Sequence, residues 1–481
     1  MTASGQRGAR IDATRAQVQT DSLTVTLDLM RLRPVVVDAM RRVLGLPERP
    51  QGVSMPPHEK AAFQTAARTE YDRLAGCDAD DAVEFAVAVS ALLHECRHVH
   101  DLRATRCGAE LLLHDLQVYA GATGLLEDLR QWHRAAPGRH LPFPVAAGLD
   151  QLGDAGEDTV IRIQRAERLR NRVERWWNAP SRGPFLPGHS LRALYESLGF
   201  AVQVDWLAAT FGDDVAKLIV DPVRANASGN NYLRPAMQMA SLMSMRGATP
   251  GPQDHALSWL LVSALSVSGL DEAFDTAGVP TASHPGTWFQ KFADRYARLC
   301  AQPPVQPELL PQCAVEMVLE QHGIDGPAAR YQQSDAAIQA LQDRTLTSFA
   351  EGGIPGLRRH MASLLIATEV GIDFRDMQRA IAAQPQYHLA PGYVSLLAGG
   401  GLTTVHVRVR NPDGTLGDFR TPSHTPSNHV GAARHASEAS QQMRLLLRGR
   451  SLSDNFFEEA VYQRMKASAP DGLGLSFLAV R

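Results

Sequence analysis

The 481-residue sequence has few lysines and few cysteines, and it lacks a long uninterrupted apolar run. Only four of its 48 basic residues are lysine, and the other 44 are arginine. Because 51 acidic residues bring the formal net charge to -3, we expect no general attraction to nucleic acid or to anionic lipid. No apolar stretch reaches the roughly 18 residues that span a bilayer, so we expect no transmembrane helix.

The five cysteines lie at scattered positions and form no paired metal-ligand spacing such as CxxC. An odd, scattered set is typical of reduced thiols rather than of a disulfide framework. The first 20 residues carry three arginines but no apolar stretch, so they do not resemble a secretory signal. We therefore predict a cytoplasmic protein with a mobile N-terminal tail over residues 1–20.

Hydrophobic residues make up 44% of the chain and charged residues 21%, which is typical of a globular protein. Apolar residues recur mostly at helical spacing, whereas strand-like alternation is confined to residues 23–29 and 403–409. The sequence Asn-Pro-Asp-Gly at 411–414 predicts a turn that returns the second strand as a hairpin. We predict a mainly α fold with minor β structure.

Breaks in the periodic pattern divide the chain into three expected structured parts. A metal-site domain over residues 21–178 ends with a charged helix over 154–177, in which acids and arginines alternate as on a solvated face. A Pro- and Gly-containing linker separates it from a helical domain over 185–390. A small C-terminal α+β segment over 391–481 contains the hairpin and further helices.

One short motif carries recognisable chemistry. Residues 94–98 read His-Glu-Cys-Arg-His, the pattern HExxH, inside a run that predicts one buried helix beginning near Asp78. Residues four apart lie on the same helix face, so His94 and His98 can present two imidazole nitrogens to one metal ion. Glu95 lies beside them, where its carboxylate can take a proton from a metal-bound water.

Through this motif the chain resembles the zincin-type metallopeptidases, and His94, Glu95 and His98 are the matching positions. The resemblance covers only this short stretch. It implies a zincin-like helical domain, a zinc cofactor, hydrolysis of a peptide or protein substrate, and Glu95 as the general base. It also implies that the strand over 23–29 is an edge strand, since zincins commonly lay substrate along one.

The sequence leaves the third metal ligand open. Asp101 follows His98 by about one turn and can either bind the metal or hydrogen-bond the far nitrogen of His98. Glu110 is the main competitor, because in the gluzincin group the third ligand is a Glu on a following helix. That Glu usually comes later and is followed four residues on by Asp, whereas position 114 here is His. Glu127 has a more ordinary separation from the motif but no other support.

Two further hypotheses remain open. The first is a non-catalytic helical scaffold or interaction protein with a vestigial or structural metal site, since no third ligand is evident. The second is an iron centre for oxygen chemistry, with His94, His98 and Asp101 as its two-histidine, one-carboxylate set. The length of the chain beyond the motif also predicts that its remainder selects or senses a protein partner.

Overall fold

The computed structural model describes residues 16–19, 24–30, 32–44, 53–54, 60–117, 168–169, 171–182, 188–225, 232–248, 256–302, 309–324, 327–352, 406–414 and 416–420. Residues 1–15 of the predicted tail, Glu127 and the helices predicted after the hairpin lie outside these ranges. Within them the fold is mainly α-helical, in agreement with the sequence prediction. No described helix combines the length and apolar character that crossing a membrane requires.

The described helices are numbered in chain order. They are α1 (Pro34–Leu44), α2 (Lys60–Ala75), α3 (Ala79–Ala104), α4 (106–117), α5 (171–178), α6 (Leu191–Phe211), α7 (Asp213–Ala225), α8 (Arg234–Met245), α9 (Ala256–Val267), α10 (Leu270–Ala273), α11 (Pro285–Cys300), α12 (Leu310–Gln321) and α13 (Pro327–Gly352). Of the charged helix predicted over 154–177, the described part is α5 and residues 168–169. The 26 residues of α3 make it about 39 Å long.

The described strands form one five-stranded sheet in the order β1-β2-β4-β5-β3. They are β1 (Ala16–Gln19), β2 (Thr24–Asp28), β3 (Val53–Ser54), β4 (His406–Arg410) and β5 (Leu416–Arg420). The antiparallel pair β4 and β5 is the predicted hairpin, and Gly414 in its turn has φ +81°, which glycine adopts without strain.

Two expectations for the N-terminal segment were wrong, one about a strand and one about the tail. The strand predicted over 23–29 is β2, but it is not an edge strand, because β1 pairs with one side of it and β4 with the other. The edge strand is β1, which lies within the segment predicted as tail. The tail residues 16–19 are ordered because their backbone hydrogen bonds are satisfied by β2.

Helix α3 is the centre of the fold, and its sequence explains both its ends and its burial. The side chain of Asp78 accepts a hydrogen bond from the backbone N–H of Asp80 and caps the first turn. The helix ends at Thr105, whose backbone N–H donates to the carbonyl of Asp101. Between these ends the helix is buried on almost every side from Phe85 onwards. Such a helix places even its polar side chains inside the protein.

The described parts of the predicted N-terminal and central domains share one hydrophobic core. Helix α3 packs against α1, α2, β1, β2 and α6, and α6 in turn packs against α7, α8 and α9. A single cluster of buried apolar residues runs from Val25 on β2 to Val409 on β4. Helices α3 and α6 belong to two different predicted domains, yet they are direct neighbours. The predicted domain boundaries stay predictions.

Candidate metal centre

Helix α3 brings His94 and His98 together, as their spacing predicts. Their rings lie one turn apart with centroids 4.6 Å from each other and planes at 87°. Both side chains are buried, at 6% and 8% exposure. Imidazoles held edge to face in this way can direct their Nε2 atoms to a common point.

Helix α6 supplies a carboxylate at that point. The Oε2 atom of Glu196 lies 3.2 Å from His94 Nε2 and 3.5 Å from His98 Nε2. Among the described residues, these three side chains are the only group of His, Cys, Asp or Glu that can hold a metal ion, and their ligand atoms all lie within 4.8 Å of one another. The third candidate ligand is thus Glu196, which the sequence analysis did not identify.

The spacing of these atoms fits a zinc ion. Three ligands that are about 2.0–2.1 Å from a tetrahedral zinc lie about 3.3–3.4 Å from one another. The two measured distances to Glu196 Oε2 fall on either side of this spacing. Two histidines and one glutamate are also a known catalytic zinc set that leaves a fourth position for water. The residues present therefore fit the metal that the motif implies.

The electrostatics of Glu196 favour its ionised form. Burial raises the pKa of this carboxyl, but hydrogen bonds from His94 and His98 outweigh burial and hold the pKa well below its usual range. The second oxygen, Oε1, lies 3.6 Å from Arg192 Nε, one turn earlier on α6. Each oxygen of Glu196 therefore has a distinct neighbour: Oε2 faces the imidazoles, and Oε1 faces a half-exposed guanidinium.

Tyr232, just before α8, lies at the same site. Its ring centroid is 5.7 Å from that of His94, and its backbone carbonyl accepts a hydrogen bond from Ser197 Oγ on α6. Burial raises the pKa of the Tyr232 phenol, and the carboxylates of Glu196 and Glu95 raise it further. The phenol therefore stays protonated.

Asp101 is not part of the metal-holding group. Both of its oxygens lie 2.9 Å from Arg97 Nε, and neither side chain has any exposed surface. The other predicted role, orienting His98, is not observed either, because His98 Nδ1 has no hydrogen-bond partner among the described residues. The prediction for Asp101 failed because Arg97, four residues earlier on the same helix face, pairs with it.

Glu110 is also directed elsewhere. Its Oε1 accepts a hydrogen bond from Arg106 Nε at 3.1 Å, and its Oε2 accepts one from the backbone N–H of Leu270 at 2.5 Å. Burial raises the pKa of Glu110, and the ion pair with Arg106 opposes this shift. Glu110 therefore accepts a hydrogen bond from a free backbone N–H in the first turn of α10 and does not face the histidines.

A weak signal for Glu196 was present in the sequence. On a helix, positions 196, 200, 203 and 207 share one face, and the last three carry Phe, Gln and Leu, which lie in the interior. An acidic residue within such a face indicates a partner inside the protein. The signal was not specific, because Phe200 stands where the gluzincin pattern expects Asp, and nothing in the sequence joins α6 to α3.

No protein-family model matches this chain, and neither a curated protein nor a solved structure matches it.

Proposed function

We propose that this protein is a zinc-dependent peptidase in which His94, His98 and Glu196 hold the metal ion. The observation that carries the proposal is the convergence of His94 Nε2 and His98 Nε2 on one oxygen of Glu196, in an HExxH helix that also carries Glu95. A zinc ion held by these residues would lower the pKa of a bound water and polarise the scissile carbonyl. The substrate is a peptide or a protein.

Glu95 is the general base of the proposed reaction. Its carboxylate takes a proton from the attacking water as the water oxygen bonds to the carbonyl carbon. Glu95 then delivers this proton to the amide nitrogen as the C–N bond breaks. The products are an amine and a carboxylic acid, which ionises. The position of Glu95 directly after the ligand His94 supports this role.

Tyr232 is the proposed hydrogen-bond donor to the carbonyl oxygen. Negative charge grows on this oxygen during attack, and a neutral donor held beside it stabilises the transition state. Glu95 and Glu196 favour the protonated phenol, and contact with His94 holds the ring at the site. A Tyr232→Phe variant keeps the ring and loses only this donor.

The edge strand β1 supports a peptide-like substrate. Helix α3, which carries the motif, packs against β1, and no described strand pairs with the outer side of β1. An extended segment can add to such an edge through backbone hydrogen bonds, largely independent of its side chains.

Metal analysis combined with a peptide library tests the proposal. We expect about one zinc per chain in the wild type and in Glu95→Gln. The Glu95→Gln variant keeps the size of the side chain but cannot accept the proton, so hydrolysis should fall by about 100-fold to 10,000-fold. Equal hydrolysis by the two proteins would refute the role of Glu95. Absence of zinc from the wild type after zinc is supplied would refute the metal centre.

A structural role for the three residues is the second candidate, and a specific observation favours it. His94 hydrogen-bonds Glu196 across the α3–α6 contact, and His98 Nε2 lies 3.5 Å from the same oxygen, so these contacts can join the two helices without a metal ion. In that case the fold would lose stability when Glu196 is replaced, and zinc would not change the melting temperature. A rise in melting temperature with added zinc would instead support the metal centre.

The iron-centre hypothesis now involves Glu196 in place of Asp101. His94, His98 and Asp101 do not come together, but His94, His98 and Glu196 are also a two-histidine, one-carboxylate set. The presence of Glu95 beside this set favours hydrolysis, which needs a base. Elemental analysis of protein purified without added metal distinguishes zinc from iron. A second measurement is whether the metal is retained in the presence of oxygen.

A further inference from the structure

Gly199 occupies a position where glycine is costly. It lies inside α6, a 21-residue helix, one turn after Glu196. Glycine in a helix interior is less stable than alanine because its backbone is freer in the unfolded chain. Gly199 has no special backbone conformation that would require glycine, since it lies in a continuous helix. The reason for glycine at this position must therefore be space.

The space beside Gly199 is taken by the ligand end of His94. A methyl group built on Gly199 would lie 2.9 Å from His94 Cε1, 2.9 Å from Nε2 and 3.0 Å from Cδ2. The two distances of 2.9 Å are shorter than Cβ contacts in proteins, so the imidazole would have to move. The three atoms are Nε2 and its two ring neighbours, which form the end of the imidazole that faces Glu196.

Other tightly packed glycines have different neighbours. A Cβ on Gly108 would meet the backbone of Leu102, and one on Gly269 would meet the carboxylate of Glu110. Those contacts hold α10 and the break after α3. Among the glycines that the structure describes, Gly199 is the one whose Cβ would meet a member of the group formed by His94, His98 and Glu196.

We propose that Gly199 is a positioning residue of the metal centre, because its missing side chain lets the α6 backbone approach His94 until His94 Nε2 and Glu196 Oε2 reach the same ion. The inference rests on the proposed metal site and adds a residue that the HExxH motif does not contain. Helix α6 then contributes two positions one turn apart. Glu196 supplies a ligand atom, and Gly199 leaves the space that the His94 imidazole occupies.

Zinc affinity and the stability of the metal-free protein, measured together, test this role in Gly199→Ala. We expect zinc to bind about 10-fold to 100-fold more weakly in competition with a chelator, as when a group that orients a ligand is lost. The melting temperature of the metal-free variant should change little, since the helix gain offsets the displaced ring. Gly269→Ala is the matched control: we expect a lower melting temperature and unchanged zinc affinity.

The same substitution in a His94→Ala background shows whether the contact itself is responsible. Without the imidazole there is no clash, so Gly199→Ala should raise the melting temperature there by about 1–3 °C. The inference would be overturned if Gly199→Ala raised the melting temperature less in the His94→Ala background than in the wild type, or lowered it there. So would wild-type zinc affinity in Gly199→Ala. Failure of the wild type to bind zinc would refute the proposed metal centre itself, and the role of Gly199 with it.

Discussion

Glu196, on α6, and Asp101, on the motif helix α3, are both carboxylates near the motif, but they have different partners. Asp101 has no exposed surface, and both of its oxygens accept from the guanidinium of Arg97. Glu196 Oε2 instead faces two imidazole nitrogens. A guanidinium is always charged and donates only, so it saturates a carboxylate. An imidazole nitrogen that releases its proton has a lone pair that it can share with a metal ion. Closeness to the histidines in the sequence therefore indicates a metal ligand less well than the group that the carboxylate contacts.

Replacement of Glu196 should have the largest effect on the metal centre. In Glu196→Ala we expect the zinc content of the purified protein to fall to background, because one of three protein ligands is lost. Glu110→Ala is the control, since Glu110 was a predicted ligand but contacts Arg106 and Leu270 instead. Elemental analysis of both variants measures the difference. Zinc retained in Glu196→Ala and lost in Glu110→Ala would reverse the comparison.

Replacement of Asp101 should affect the fold rather than the metal. Asp101→Ala leaves Arg97 as a buried charge without this partner, and breaking such a pair costs about 3–5 kcal/mol of unfolding free energy. Zinc affinity of the folded fraction should stay within about threefold of the wild type. Urea unfolding and chelator competition measure the two quantities. A large loss of zinc affinity without loss of stability would restore Asp101 as a ligand.

His284 is a buried histidine with no carboxylate partner among the described residues, in contrast to His94 and His98. Its Nδ1 accepts from the backbone N–H of Gly286 and caps α11, and burial lowers its pKa to about 3. Between pH 6.5 and about 3 the unfolded chain binds a proton that the folded protein excludes. This contribution to stability is therefore complete above pH 6.5 and is lost as the pH falls, at up to about 1.4 kcal/mol per pH unit.

A His284→Asn variant isolates this effect, because Asn also caps a helix but does not titrate. We expect its unfolding free energy to fall less steeply between pH 6 and 4 than that of the wild type. Urea titrations at each pH give the two slopes. Parallel slopes would show that other groups dominate the acid sensitivity.

The smallest expected effect concerns the second oxygen of Glu196. Arg192 is half-exposed and lies 3.6 Å from Oε1, so solvent weakens the pair. We expect Arg192→Ala to reduce zinc affinity by about twofold to fivefold and Arg192→Lys to reduce it less. Chelator competition at low and high salt should show the difference shrinking as salt rises. An effect as large as that of Glu196→Ala would mean that Arg192 sets the position of the ligand.

The local elements of the site could be read from the sequence. The motif helix, expected to begin near Asp78, is α3, and the side chain of Asp78 caps its first turn. The turn at 411–414 and its hairpin were also found. Each of these depends on residues close together in the chain, where capping, periodicity and turn chemistry act directly.

The pairing between distant segments could not be read in the same way. The strand over 23–29 was expected at an edge, yet β4, from far along the chain, pairs with it. Glu196 was missed for the same reason, because its register against His94 depends on how α3 and α6 pack. Such contacts are set by the shapes of many side chains together, and no short pattern encodes them.

The sequence by itself determined that His94 and His98 share one face of a buried helix, with Glu95 beside them, because the spacing of four is a property of every α-helix. The tertiary structure decided which carboxylate completes the group. Asp101 and Glu110 are paired with Arg97 and Arg106. Glu196 reaches the histidines because α6 packs on α3, and the absence of a side chain at Gly199 lets the two helices come close enough.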